Sequence, residues 1–338
     1  MLSTSRRLLL TSPTEHLFGT LNLPRYPDEL RAQVFAVHEK LNQPPPSKRD
    51  LNRTLRRASH QSGGVDRLTE LVSLGRLYEI IDVRPLKMEI DIVNKCNLRC
   101  PMCMMSHPSH YKRPLRRMSA EEFERLADDI FWHLSSLSFT YGAEPLLHPD
   151  FPRFIEIAAR YRIPNVYAVT NGLLLSDTVS RAMVAHGLHG LAVSVDAACR
   201  ETYEKIRVGG NWDRLLSNLR GLQRIKRELG SQTPNLELDF VMMRTNIDEL
   251  PEFVGLAAEL GATAVNAVHM VPFQALGMER DSCSLIKETT NEMLTRARNL
   301  ARENGLQFTA PPLFNEGARR GSGAPMADRF GLPTNQAK

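Results

Sequence analysis

The stretch "KMEIDIVNKCNLRCPMC", residues 87–103, decides how the chain is read. Its first seven residues set apolar Met88, Ile90 and Ile92 against polar Lys87, Glu89 and Asp91, the two-residue period of a strand. Three cysteines follow at once, Cys96, Cys100 and Cys103, with Pro101 between the last two.

Moving outward, five more apolar runs read as strands: 134–142, 165–172, 190–197, 236–243 and 264–271. Amphipathic helical segments lie between them, the signature of repeated βα units and a parallel sheet. Ser119 with Glu122, and Asn246 with Glu249, have the spacing of helix-capping pairs. The segment 286–305 closes the series, with Gly305 as its expected stop. Six units without a reversal of strand order predict an α/β fold, an incomplete (β/α)6 TIM-like barrel with its ligand site at the carboxyl ends of the strands.

Three regions are expected: a helical extension and basic linker over 1–85, the partial barrel over 86–310, and an irregular tail over 311–338 rich in Gly, Pro and Ala. No run of about 18 uncharged apolar residues is present, so no membrane span is expected. The amino terminus lacks the apolar core and cleavage site of a signal peptide, and cytoplasm is the expected compartment. The 43 basic residues exceed the 38 acidic ones only slightly, and a solvated basic arm accounts for the excess without nucleic acid.

Five cysteines, three of them within eight positions, do not make the disulfide framework of a small secreted domain. Offsets 0, 4 and 7 fall on one helix face, but Pro101 favours a loop. His107 offers a fourth ligand for zinc in a Cys, Cys, Cys, His set. Three thiolates can instead hold a cluster of four irons, one of which stays open to a small molecule.

The run "CNLRCPMC" after the first barrel strand resembles the signature of the radical S-adenosylmethionine enzymes, over about residues 86–275. The resemblance implies a [4Fe-4S] cluster on Cys96, Cys100 and Cys103, S-adenosylmethionine as cofactor, and Met102 beside the adenine. It also implies reductive cleavage to a 5'-deoxyadenosyl radical that abstracts hydrogen from a substrate. "YGAEP" (141–145) is similar to the family segment that receives the methionine amino group. Gly142 offers a backbone edge and Glu144 a carboxylate for an ammonium, and Ala143 stands where the family has a second glycine.

Thr170 and Asn171 end the third strand within reach of the pocket. Ser194 and Asp196 alternate with valines at the end of the fourth, where ribose hydroxyls would partner them. "ETYEKIRVGG" (201–210) resembles a stretch of the peptide-modifying members, which implies that Arg207 pairs with the cofactor carboxylate. Arg244 is a further pocket candidate, and His269 is expected to be a packing residue. Cys199 and Cys283 are too few for an auxiliary cluster of the kind found in the cysteine-rich carboxy-terminal (SPASM-type) domain of those relatives. The resemblance implies a peptide or protein substrate, with a small metabolite of cofactor biosynthesis or a zinc-stabilised binding module as alternatives. It also implies an external one-electron donor such as flavodoxin or ferredoxin.

Overall fold

The computed structural model describes residues 86–315. The expected extension over 1–85 and the tail beyond residue 315 lie outside the described residues. Residues 86–315 belong to one compact unit.

Seven strands form one parallel sheet in strictly sequential order. They are β1 (Leu86–Glu89), β2 (Leu134–Ser138), β3 (Asn165–Thr170), β4 (Gly190–Ser194), β5 (Asn235–Met242), β6 (Ala264–His269) and β7 (Gln307–Thr309). Between them run α1 (Ala120–Ile130), α2 (Phe151–Ala159), α3 (Asp177–Ala185), α4 (Arg200–Ile206), α5 (Trp212–Glu228), α6 (Leu250–Glu259) and α7 (Lys287–Glu303). This is the partial barrel the sequence predicts, with one strand more. β7 pairs Gln307, Phe308 and Thr309 with Ala264, Val265 and Asn266, and three residues carry too little periodicity to be read as a strand.

β2, β3 and β4 are buried along almost their whole length, as a sheet covered on both faces requires. The core continues into the helices. Phe123 of α1 packs on Phe154 of α2 at 4.7 Å and on Phe131 at 5.2 Å between ring centroids, burying large apolar areas in favourable tilted and edge-on geometry. Ser119 caps α1 in the reciprocal arrangement expected with Glu122.

The second expected cap fails. Asn246 makes no cap hydrogen bond; its Nδ2 donates to the carbonyls of Asp196 and Val241, and its Oδ1 accepts from Met243 N–H. The amide thus turns inward and satisfies backbone groups at the ends of β4 and β5. The strands also end earlier than the apolar runs suggest. Ser138 Oγ bonds both the N–H and the carbonyl of Thr140, a local turn just past β2, and Phe139 N–H makes the last backbone bond to β3, at the Tyr167 carbonyl. Among the described residues no helix is long and apolar enough to cross a membrane.

Candidate functional site

The three cysteines lie in the loop that leaves β1 at its carboxyl end, and all three are free thiols. Cys100 is buried, and Cys96 and Cys103 are partly buried. The loop closes on itself through Cys103 N–H to the Cys100 carbonyl, 3.0 Å. Two neighbouring elements hold it: Arg99 N–H donates to the Val208 carbonyl beyond α4, and Lys95 O accepts from Glu144 N–H, both at 2.9 Å.

Each of two sulfurs meets donors from elsewhere. Cys96 Sγ accepts from Leu98 N–H at 3.4 Å and from Asn171 Nδ2 at 3.9 Å. Cys100 Sγ accepts from Arg207 Nη1 at 3.8 Å. Burial pushes the Cys96 thiol up to about 11, with Glu144 and the other two cysteines adding to it and the Leu98 N–H opposing. Burial also raises Cys100, against the Arg207 charge.

Glu144 is almost fully buried and held by three donors. Thr170 Oγ1 and Leu146 N–H reach Oε1 at 2.6 and 3.1 Å, and Asn171 N–H reaches Oε2 at 2.7 Å. Burial raises its carboxyl above the ordinary range, and these donors pull the other way. The carboxylate therefore ties the end of β2 to the end of β3. Asn171 in turn donates to Asn97 Oδ1 at 2.7 Å, beside Cys96.

Asp196 is completely buried with φ at +66°, a left-handed conformation that is uncommon outside glycine. It pairs with Arg207, whose Nη2 lies 2.5 Å from Oδ2, while Oδ1 accepts from Val241 N–H at 2.8 Å. Burial raises the Asp196 carboxyl, and Arg207 opposes it. Arg207 is thus neither on the helix surface nor paired with Glu201 or Glu204. Glu204 accepts from Trp212 N–H instead. Ser194 ends β4, partly buried, and Met102 is packed in the core cluster.

Arg244 stands apart: its Nη1 donates to the Arg280 carbonyl on an exposed turn. His269 packs its ring 5.0 Å from Phe314, a packing residue as expected. His107 Nδ1 lies 2.8 Å from Ser109 Oγ and caps the turn Pro108–Tyr111. Among the described residues no three His, Cys, Asp or Glu side chains stand close enough to share one metal ion.

Cysteine thiolates are the donors an iron-sulfur cluster takes, so Cys96, Cys100 and Cys103 fit one by their chemistry. Beside Cys100, Arg207 Nε and Tyr203 Oη are buried with no hydrogen-bond partner among the described residues, which suits an anionic group arriving there. Sequence reasoning missed Tyr203 as a site residue, and also Asp91 and Asn97. Tyr203 reads as ordinary helix core, and Asp91 as the solvent face of β1.

Residues 90–257 match the radical SAM superfamily. The chain belongs to that superfamily. Its members use a [4Fe-4S] cluster and S-adenosylmethionine. The radical SAM chain is 29% identical over 194 residues to the probable GTP 3',8-cyclase of Methanocaldococcus jannaschii, covering 57% of this chain and 61% of that protein. It is 26% identical over 183 residues to the mycofactocin maturase MftC of Mycolicibacterium smegmatis, covering 53% and 43%. The crystal structure of Streptococcus suis SuiB bound to S-adenosylmethionine has a similar fold, with TM-score 0.54 at 17% identity, over 77% of this chain and 59% of that one. The radical SAM chain therefore spans about half the length of these proteins.

Proposed function

We propose that the chain is an enzyme that carries a [4Fe-4S] cluster on Cys96, Cys100 and Cys103 and cleaves S-adenosylmethionine reductively to act on a small molecule. The observation that carries this is the set of three free thiols on one loop at the carboxyl ends of the strands. When bound, the cluster supplies an electron from an external donor of flavodoxin or ferredoxin type, which frees a 5'-deoxyadenosyl radical able to take hydrogen from substrate.

The chain's own residues orient these parts. Leu98 N–H and Asn171 Nδ2 fix Cys96 Sγ, and Arg207 fixes Cys100 Sγ. Gly142 and the remaining acceptor capacity of Glu144 Oε2 suit the cofactor's ammonium. Arg207 Nε, buried and unpartnered, suits its carboxylate. Met102 on the cysteine loop and Asn171 just past β3 would flank the cofactor, and Ser194 at the end of β4 offers a hydroxyl for ribose. Asp196, fully enclosed, acts by holding Arg207 rather than by touching ribose.

The GTP 3',8-cyclase relatives support a small molecule, in the manner of cofactor biosynthesis, over the peptide implied by the motif resemblance. A peptide stays the second reading. It is favoured by the maturase relative and by apolar side chains exposed on loops after the strands, Tyr141 at 76% and Val271 at 59%. Oxygen-free reconstitution tests the proposal: about four irons per chain and reductant-dependent 5'-deoxyadenosine are expected, both lost in Cys100→Ala. Stoichiometric zinc with refusal of iron would overturn it. Deuterium transfer into 5'-deoxyadenosine from labelled GTP, against none from labelled peptides, separates the two substrate readings.

A further inference from the structure

Asp91 lies two residues beyond β1 and five before Cys96. Its Oδ1 accepts from three successive backbone N–H groups across 50 residues of sequence: Tyr141 at 2.9 Å, Gly142 at 3.0 Å and Ala143 at 3.0 Å. Such a run of converging amides is an anion-binding nest, and here a side chain of the same chain fills it. The next amide, Glu144 N–H, goes to the Lys95 carbonyl at 2.9 Å. Residues 91–95, the segment that delivers the first cysteine, thus clamp four consecutive amides of the "YGAE" turn.

In a planar trans peptide the carbonyl of one residue points opposite to the N–H of the next. With the Gly142 and Ala143 amides on Asp91, the Tyr141 and Gly142 carbonyls must face the other way. No donor among the described residues reaches either carbonyl. Ala143 is not among the residues with positive φ, so the turn does not depend on a second glycine at that position.

We propose that Asp91 is a positioning residue that presents the Tyr141 and Gly142 carbonyls as paired acceptors for a cationic amine, the ammonium of bound S-adenosylmethionine. This rests on the cofactor reading above. It acts through the turn, without touching the cofactor, and links cofactor affinity to the cysteine loop through one carboxylate.

The test uses the whole chain as wild type, Asp91→Ala and Asp91→Asn. In cluster-free protein, hydrogen exchange of amides 141–143 speeds up in Asp91→Ala and stays near wild type in Asp91→Asn, whose Oδ1 still accepts. In protein reconstituted without oxygen, S-adenosylmethionine binding by calorimetry weakens by about tenfold in Asp91→Ala, with iron content unchanged and Asp91→Asn close to wild type. Unchanged exchange in Asp91→Ala, unchanged affinity, or an Asp91→Asn variant as impaired as Asp91→Ala would overturn the inference. Iron-loaded wild type that fails to bind S-adenosylmethionine would instead sink the cofactor reading.

Discussion

Arg207 lies against Cys100, its Nη1 donating to the sulfur over 3.8 Å, while Nη2 of the same fork sits 2.5 Å from Asp196 Oδ2. One buried cation therefore serves both the Cys100 sulfur and a buried carboxylate. Its guanidinium pKa is shifted upward: burial works against the charge, and Asp196 and Cys100 outweigh it. Neutral Arg207→Met strands Asp196 unpaired, which costs about 3–5 kcal/mol for a buried pair. Loss of a donor and a positive charge at the sulfur also makes a bound cluster harder to reduce. Denaturant unfolding of the cluster-free variant checks the first effect. A redox titration followed by electron paramagnetic resonance checks the second, with a midpoint more negative than wild type expected.

Gly210 sits where no other residue fits. A Cβ there would come within 2.6 Å of the Arg207 carbonyl and 2.8 Å of the Tyr203 ring. Gly210→Ala is expected to push the Arg207 loop off Cys100 and to destabilise the fold by about 1–3 kcal/mol. Thermal unfolding and iron content report both effects. Full iron loading at wild-type stability would mean that the loop tolerates the displacement.

The fold was legible because the βα alternation is long and regular, and six of seven strands announced themselves by apolar runs. β7 did not, since three residues at an edge carry no period. The site was legible in its residue types but not in its pairings. Cys96, Cys100, Cys103, Glu144, Asn171 and Arg207 do gather at one end of the sheet. That Asp196 pairs with Arg207 depends on a left-handed backbone turn at Asp196, which a one-dimensional pattern does not encode. Asn246 is the same lesson: the letters of a cap served a buried carbonyl.

The cluster-free protein should lose stability in alkali. The folded Cys96 thiol is raised to about 11 from an ordinary 9.0. Its contribution is therefore complete below pH 9 and disappears as pH climbs through 11, where the unfolded chain has already released its proton. Melting temperature of metal-free protein is expected to fall between pH 9 and 11, and to fall less in Cys96→Ser. Alkylation of Cys96 at pH 8 should lag behind that of a small free thiol. An equal rate would contradict the buried placement.

His107→Ala should leave the metal site intact, because Nδ1 is engaged with Ser109. Iron content and cluster absorbance equal to wild type are expected. A fall to about half or less would give the histidine a ligand role and restore the four-ligand reading.

The most direct measurement is Mössbauer spectroscopy of iron-57 protein, reconstituted without oxygen, before and after adding S-adenosylmethionine. One iron of the four is expected to change its isomer shift when the compound docks, the other three staying as they were. Four irons with unchanged parameters, or a metal bound wholly by side chains, would contradict a centre built to leave one position for the cofactor.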